Sequence, residues 1–290
     1  MSISYIFLLF TIISLWFPTH WNNKIPGKLK IWNYFLFFSL SFGLFYKRID
    51  LSGLLIVFLL LIVFVLDDYR KFSKTFKYCL KGIILIIFLG LLGHLFSGFH
   101  GELFISERKL TICAIPYKKY LGFEKPIIAI LILAFYHSLI NNKIKIFFII
   151  KKVLPIILLT FVTIIPLSLW MGYVKFDMKF IPLFFSWGMV NLLFTCTGEE
   201  AFFRGFVLKG FLSFFEEKKW GIVISLLLSS ILFGMAHFQG GFHYMILSMI
   251  AGIYYGFAYI KTSHIESSIL VHFSLNAVHF LFFTYPMLDK

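Results

Sequence analysis

Residues 180–204 read FIPLFFSWGMVNLLFTCTGEEAFFR, and the fold turns on how that stretch is taken. From Phe180 the run is apolar enough to lie in a bilayer. It ends on Gly198-Glu199-Glu200-Ala201-Phe202-Phe203-Arg204, two adjacent carboxylates and a cation. Charge is expensive in hydrocarbon, and where it persists it marks a functional site. Taken as a membrane helix, the stretch makes the acid pair the centre of the chain and everything else its scaffold or its partners.

The rest of the chain supports that reading. Its 290 residues are 60% hydrophobic and 14% charged, with 40 Phe and a mean hydropathy of +0.91. A soluble domain would carry about a quarter charged residues. Apolar runs at about 3–18, 32–46, 51–66, 80–99, 126–141, 153–173, 180–208, 220–238, 244–260 and 265–284 read as spans. The expected fold class is therefore all-α, a polytopic transmembrane helix bundle with about eight to ten membrane helices. Residues 1–179 read as scaffold helices and 180–284 as the catalytic ones, because polar residues within spans concentrate after Phe180. The run Ser4–Phe17 has no basic residue before it and no small-residue cleavage site after it, so it reads as a retained first helix. The longest hydrophilic interval, His100–Lys125, reads as an interfacial segment.

The net charge of +14 raises nucleic acid as a partner. The Lys and Arg sit instead in short intervals, 24–30, 70–77, 143–152 and 209–219, where they set topology and meet lipid headgroups. No basic-aromatic module of a nucleic-acid binder is present, so that class is set aside. Placing these intervals in the cytoplasm puts the N terminus outside, with the basic residues of 100–125 in conflict. Cys79, Cys113 and Cys196 are far apart and form no CxxC or disulfide framework. Cys196, three residues before Glu199, reads as a small packing residue. Lys81, His94 and His137 are isolated in early spans and read as structural.

Three polar groups carry chemistry. Glu200 and Arg204 stand four apart and share a helix face, so they can neutralise each other. Glu199 is rotated by about 100° and has less use of that arginine, which leaves it available as a general base. The second group is Phe233-Gly234-Met235-Ala236-His237. A turn near 216–219 would set Glu199 and His237 at one depth on the two arms of a hairpin. The third is His272 and Asn276, again four apart, readable as an oxyanion-binding pair, as a metal ligand with a second donor, or as interhelical glue. His243 and His279 lie close by in sequence and read as structural or gating residues. A base, two imidazoles and an amide from three helices could hold a water and an oxyanion.

Other intramembrane chemistries lack their residues. There is no His-Glu-x-x-His and no Gly-x-Ser-x-Gly, and Asp67-Asp68 reads as a loop pair with no aspartate partner in another span. Glu199-Glu200-x-x-x-Arg204, Phe233-x-x-x-His237 and His272-x-x-x-Asn276, in that order on separate helices, resemble the CPBP family. That family comprises CAAX prenyl proteases of the Rce1 type and the Abi or bacteriocin-processing proteins. The resemblance spans about 180–280 and implies an intramembrane endopeptidase. Glu199 and His237 would activate water, His272 and Asn276 would stabilise the oxyanion, and Glu200, Arg204 and Phe233 would support them. It leaves a metal alternative open, with Zn2+ drawn from His237, His272 and Glu199. It implies a membrane-embedded or membrane-anchored peptide substrate and a multi-pass location in a bacterial cell membrane, without selecting a prenylated substrate. Two other classes stay open: a non-catalytic immunity or scaffold protein of the same fold, and a proton-coupled transporter, for which no repeated halves are visible.

Overall fold

The computed structural model describes residues 1–17, 30–69 and 72–289. Most of the basic interval 24–30, the end of the 3–18 run and part of 70–77 lie outside the described residues. The chain is an all-α bundle with one small sheet, and by contacts it forms two compact units.

The first unit holds Met1–Phe104 and Tyr120–His137. Its helices are α1 (Ile3–Ser14), α2 (Ile31–Phe45), α3 (Leu51–Asp68), α4 (Lys74–Leu92) and α5 (Glu124–Tyr136). Phe7 of α1 stacks on Phe42 of α2 with ring centres 5.5 Å apart. Every residue from Ile127 to Leu133 of α5 is buried, so this short apolar helix is enclosed by protein on all sides. One polar residue differs from its sequence reading. Asp67 is no loop residue: it lies at the end of α3, buried, and accepts from the Tyr136 hydroxyl at 2.8 Å. His94 is bonded through Nδ1 to Glu124 at 2.9 Å.

Between α4 and α5 the interval 100–125 forms two paired strands, β1 (Glu102–Arg108) and β2 (Tyr117–Leu121). These short, charged, half-exposed segments, read from sequence only as interfacial, satisfy their backbone groups in a ladder.

The second unit holds Ile105–Lys119 and Ser138–Lys290. Its longest helix, α6 (Lys143–Trp170), runs through both Pro155 and Pro166. The lysine-rich interval 143–152, read as a loop, forms its first turns. A helix closes its own backbone bonds, and Lys145 and Lys151 are exposed. The next stretch is helical from Leu183 to Phe214 but changes pitch. In order it runs α7 (Leu183–Val190), a π stretch (Asn191–Cys196), α8 (Thr197–Glu200), a second π stretch (Ala201–Leu208) and α9 (Lys209–Phe214). The chain turns at 215–220 into α10 (Gly221–Met235), then α11 (Phe242–Thr262) and α12 (Ile265–Phe282). Helix α11 packs on α6, α10 and α12, so it is the central post of this unit.

Among the described residues, five helices are long and apolar enough to cross a membrane: α3, α4, α6, α11 and α12. Helices α1, α2 and α10 are apolar but shorter. The outer face of α6, with Phe147, Leu158 and Val162 more than half exposed, suits lipid. The protein is an integral, multi-pass membrane protein.

Candidate active site

The site is assembled by the pitch changes around Glu199. In an α-helix the polar neighbours of residue i are i+3 and i+4, whereas a π turn adds one residue. Here Thr197 Oγ1 donates to the Leu192 carbonyl at 2.8 Å and Cys196 Sγ donates to Asn191 Oδ1 at 3.3 Å, both five residues apart. Glu199 and Glu200 lie in the short α-helical insert between the two π stretches. Both carboxylates are buried, with residue exposures of 5% and 0%.

Arg204 is also 0% exposed, and its Nη1 donates to Glu200 Oε1 at 3.0 Å. Its Nη2 donates to the Gly252 carbonyl on α11 at 3.0 Å. The guanidinium lies 4.3 Å from the centre of the Phe233 ring and 5.2 Å from that of Tyr255. Phe233 also meets His237, whose ring centre is 4.6 Å from its own. A buried charge survives only when paired and hydrogen-bonded, and this one has a carboxylate, a carbonyl and two aromatic faces.

Both imidazoles are held from behind. His237 Nδ1 is 2.7 Å from the Phe233 carbonyl, an acceptor only, so Nδ1 carries the proton. His272 Nδ1 is 2.8 Å from Glu200 Oε1, the oxygen that also accepts from Arg204, so it donates as well. The Nε2 atoms of both rings therefore turn to Glu199, at 3.6 Å and 3.9 Å from its Oε2. The His272 ring stacks on Tyr255 at 4.6 Å. Asn276, one turn beyond His272, donates from Nδ2 to Asn191 Oδ1 at 3.2 Å.

The structure thus brings Glu199, Glu200, Arg204, Phe233, His237, His272 and Asn276 together within one unit. Glu200 has more work than its sequence reading assigned: one oxygen serves Arg204 and His272 together. The zinc set of His237, His272 and Glu199 does not take shape, since among the described residues no three His, Cys, Asp or Glu side chains are arranged to hold a metal. His279 lines the cavity but is tied to the Thr284 carbonyl at 3.1 Å, and His243 is exposed at the start of α11. Asn191, Gly252 and Tyr255 were not singled out from sequence. Asn191 had a readable signal, a lone amide in an apolar run, whereas Gly252 and Tyr255 look like ordinary residues of α11.

A cavity reaches the site. His237, His272 and Asn276 line it, facing apolar side chains such as Leu247 and Ala251 of α11 and Ile164 of α6. Glu199 does not line it, so whatever enters meets the imidazoles and the amide first.

The α10–α11 contact that positions Phe233 and His237 depends on Gly234. A Cβ there would sit 2.8 Å from both the Met245 carbonyl oxygen and the Met249 Cβ. Gly234→Ala is expected to force the helices apart and cost about 1–3 kcal/mol of stability, read as earlier thermal unfolding in detergent. Unfolding at the temperature of the natural protein would show that the contact yields freely.

Residues 181–278 match the family model described as type II CAAX prenyl endopeptidase Rce1-like. No curated protein and no solved structure matches the chain significantly. The matched residues, about a third of the chain, contain all seven side chains of the constellation, and over them the chain is similar to the Rce1-like family of endopeptidases.

Proposed function

We propose that the protein is an intramembrane endopeptidase that activates water with Glu199 and His237 and hydrolyses a peptide bond of a membrane-embedded or membrane-anchored substrate. The observation that carries this reading is the orientation of the two imidazoles. Each is tied at Nδ1, and each presents Nε2 to the Glu199 carboxylate. Separations of 3.6 Å and 3.9 Å are too long for direct hydrogen bonds and suit a water shared among the three groups.

In the proposed reaction Glu199 takes a proton from that water as its oxygen attacks the scissile carbonyl. The C–O bond forms, the carbonyl oxygen becomes an oxyanion, and collapse breaks the C–N bond. The proton passes by way of His237 Nε2 to the departing amine. Asn276 Nδ2 donates to the oxyanion. His272 can donate from Nε2 only as an imidazolium, because Nδ1 already holds a proton against Glu200. Glu199 and Glu200 then supply two negative charges, and Arg204 and the His272 imidazolium two positive ones, so the buried set is neutral before attack. Burial in an apolar cavity strengthens each of these interactions over its value in water. The apolar cavity wall suits a substrate that arrives through lipid, and the membrane we assign is a bacterial cell membrane.

Membrane peptides from cells carrying the natural chain and from cells carrying Glu199→Gln test the reading. The natural chain should generate a set of shortened products that the variant lacks. Identical peptide sets would leave a non-catalytic membrane protein of the same fold. The pH profile offers a second check. Activity should fall on the acid side, because a carboxylate must be ionised to accept the proton of water. A rate that stays flat between about pH 5 and 8 would count against a carboxylate base working beside these imidazoles.

A further inference from the structure

We propose that Asn191 is a positioning residue that sets which way the Asn276 amide faces, an inference that rests on the hydrolytic reading above. Asn191 opens the first π stretch and is buried. The wider turn brings Cys196 beneath it, and the thiol donates to Asn191 Oδ1 at 3.3 Å. Asn276 Nδ2 donates to the same oxygen at 3.2 Å and also to Cys196 Sγ at 3.6 Å.

A terminal amide can turn over and exchange its nitrogen for its oxygen at little cost unless its neighbours distinguish them. Asn276 must present N–H to an oxyanion; its oxygen would repel one. The Cys196 S–H, a donor, favours the oxygen of Asn191 on its side. That oxygen can only accept, so it favours the nitrogen of Asn276. Asn191 Oδ1 and Cys196 Sγ are only 3.3 Å apart, so one Nδ2 hydrogen can be shared between them, which leaves the other for the cavity that Asn276 lines. The order thiol, amide, amide converts a change of helical pitch into the polarity of an oxyanion donor. In α-helical spacing Asn191 and Cys196 would not face each other, which gives the π stretch a reason to exist at this place.

A packing role for the same bond would join the π stretch to α12 without bearing on the reaction, and a double-mutant cycle separates the two. The substrate is a synthetic copy of a peptide whose cleavage Glu199→Gln abolishes, presented to purified protein in lipid nanodiscs. Asn191→Leu, close in volume but without the acceptor, is expected to lower kcat by about 10- to 100-fold with KM changed by less than about twofold. Asn191→Asp keeps an accepting oxygen and should recover most of that loss. In an Asn276→Ala background, Asn191→Leu should change the rate by less than about twofold. Equal losses in both backgrounds, or no loss with Asn276 intact, would overturn the inference. If Asn191→Leu fails to accumulate in membranes, Asn191→Ser replaces it in the same cycle with the same criterion. A peptide set unchanged by Glu199→Gln overturns the hydrolytic reading and this inference together. Dependence on Glu199 with additive effects at 191 and 276 overturns this inference alone.

Discussion

With Glu199 replaced by glutamine, processing is expected to fall by about 10²- to 10⁴-fold while the protein stays folded in the membrane. The substitution preserves volume and an accepting oxygen but removes basicity. Folding should survive because the charge that holds Arg204 belongs to Glu200, whose Oε1 lies 3.0 Å from the guanidinium. The Glu199 carboxylate instead faces the two Nε2 atoms. The measurement is the initial rate of product release at matched membrane levels, with thermal unfolding recorded on the same preparations. Processing within about twofold of the natural rate would remove Glu199 from the reaction. A large loss of processing accompanied by loss of the protein from the membrane would make the residue structural instead. Glu199→Asp is informative beside it: the base is kept but withdrawn by one methylene, and a rate between those of the natural chain and Glu199→Gln is expected.

The second large effect concerns Arg204. Arg204→Met leaves the fully buried Glu200 carboxylate without its cation, and breaking a buried pair in this way costs about 3–5 kcal/mol. The variant should unfold at much lower temperature in detergent and accumulate poorly in membranes. Removing both charges, as Glu200→Leu with Arg204→Met, should recover most of that stability, because an apolar pair of similar volume carries no desolvation penalty. It should not recover activity, since His272 Nδ1 would lose the carboxylate that orients it at 2.8 Å. The expected pattern is an unstable single variant and a stable but inactive double variant. Stability of Arg204→Met within about 1 kcal/mol of the natural protein would show that Glu200 is not charged in the fold.

The same residues mark where reading from sequence works and where it stops. The membrane class was legible because an uninterrupted apolar run has few fates other than a bilayer or a core, and runs such as Leu51–Leu66 recur along the chain. The pair Glu200–Arg204 was legible because four residues make one helical turn. The interval 143–152 was misread because four lysines suggest a loop, whereas in α6 the helix continues and Lys145 and Lys151 stay exposed. Asp67-Asp68 was misread for a similar reason, since nothing local announces that Tyr136 will meet Asp67. The strands β1 and β2 went unseen because their pairing is a property of two segments together, and neither alternates strongly on its own.

By itself the sequence determined that this is a helical membrane protein, which polar residues are too costly to be incidental, and which acid answers to the arginine. Those conclusions follow from hydropathy and from contacts one helical turn apart, and both are local. Only the tertiary structure decided that Glu200 orients His272 as well as holding Arg204, that both imidazoles turn Nε2 to Glu199, and that Asn191 reaches Asn276. These contacts join residues 72 and 85 positions apart and depend on a change of helical pitch. In the stretch 180–204 the spacing of side chains along the chain is visible, but the π turns that re-aim them are stabilised by packing and polar partners elsewhere in the bundle.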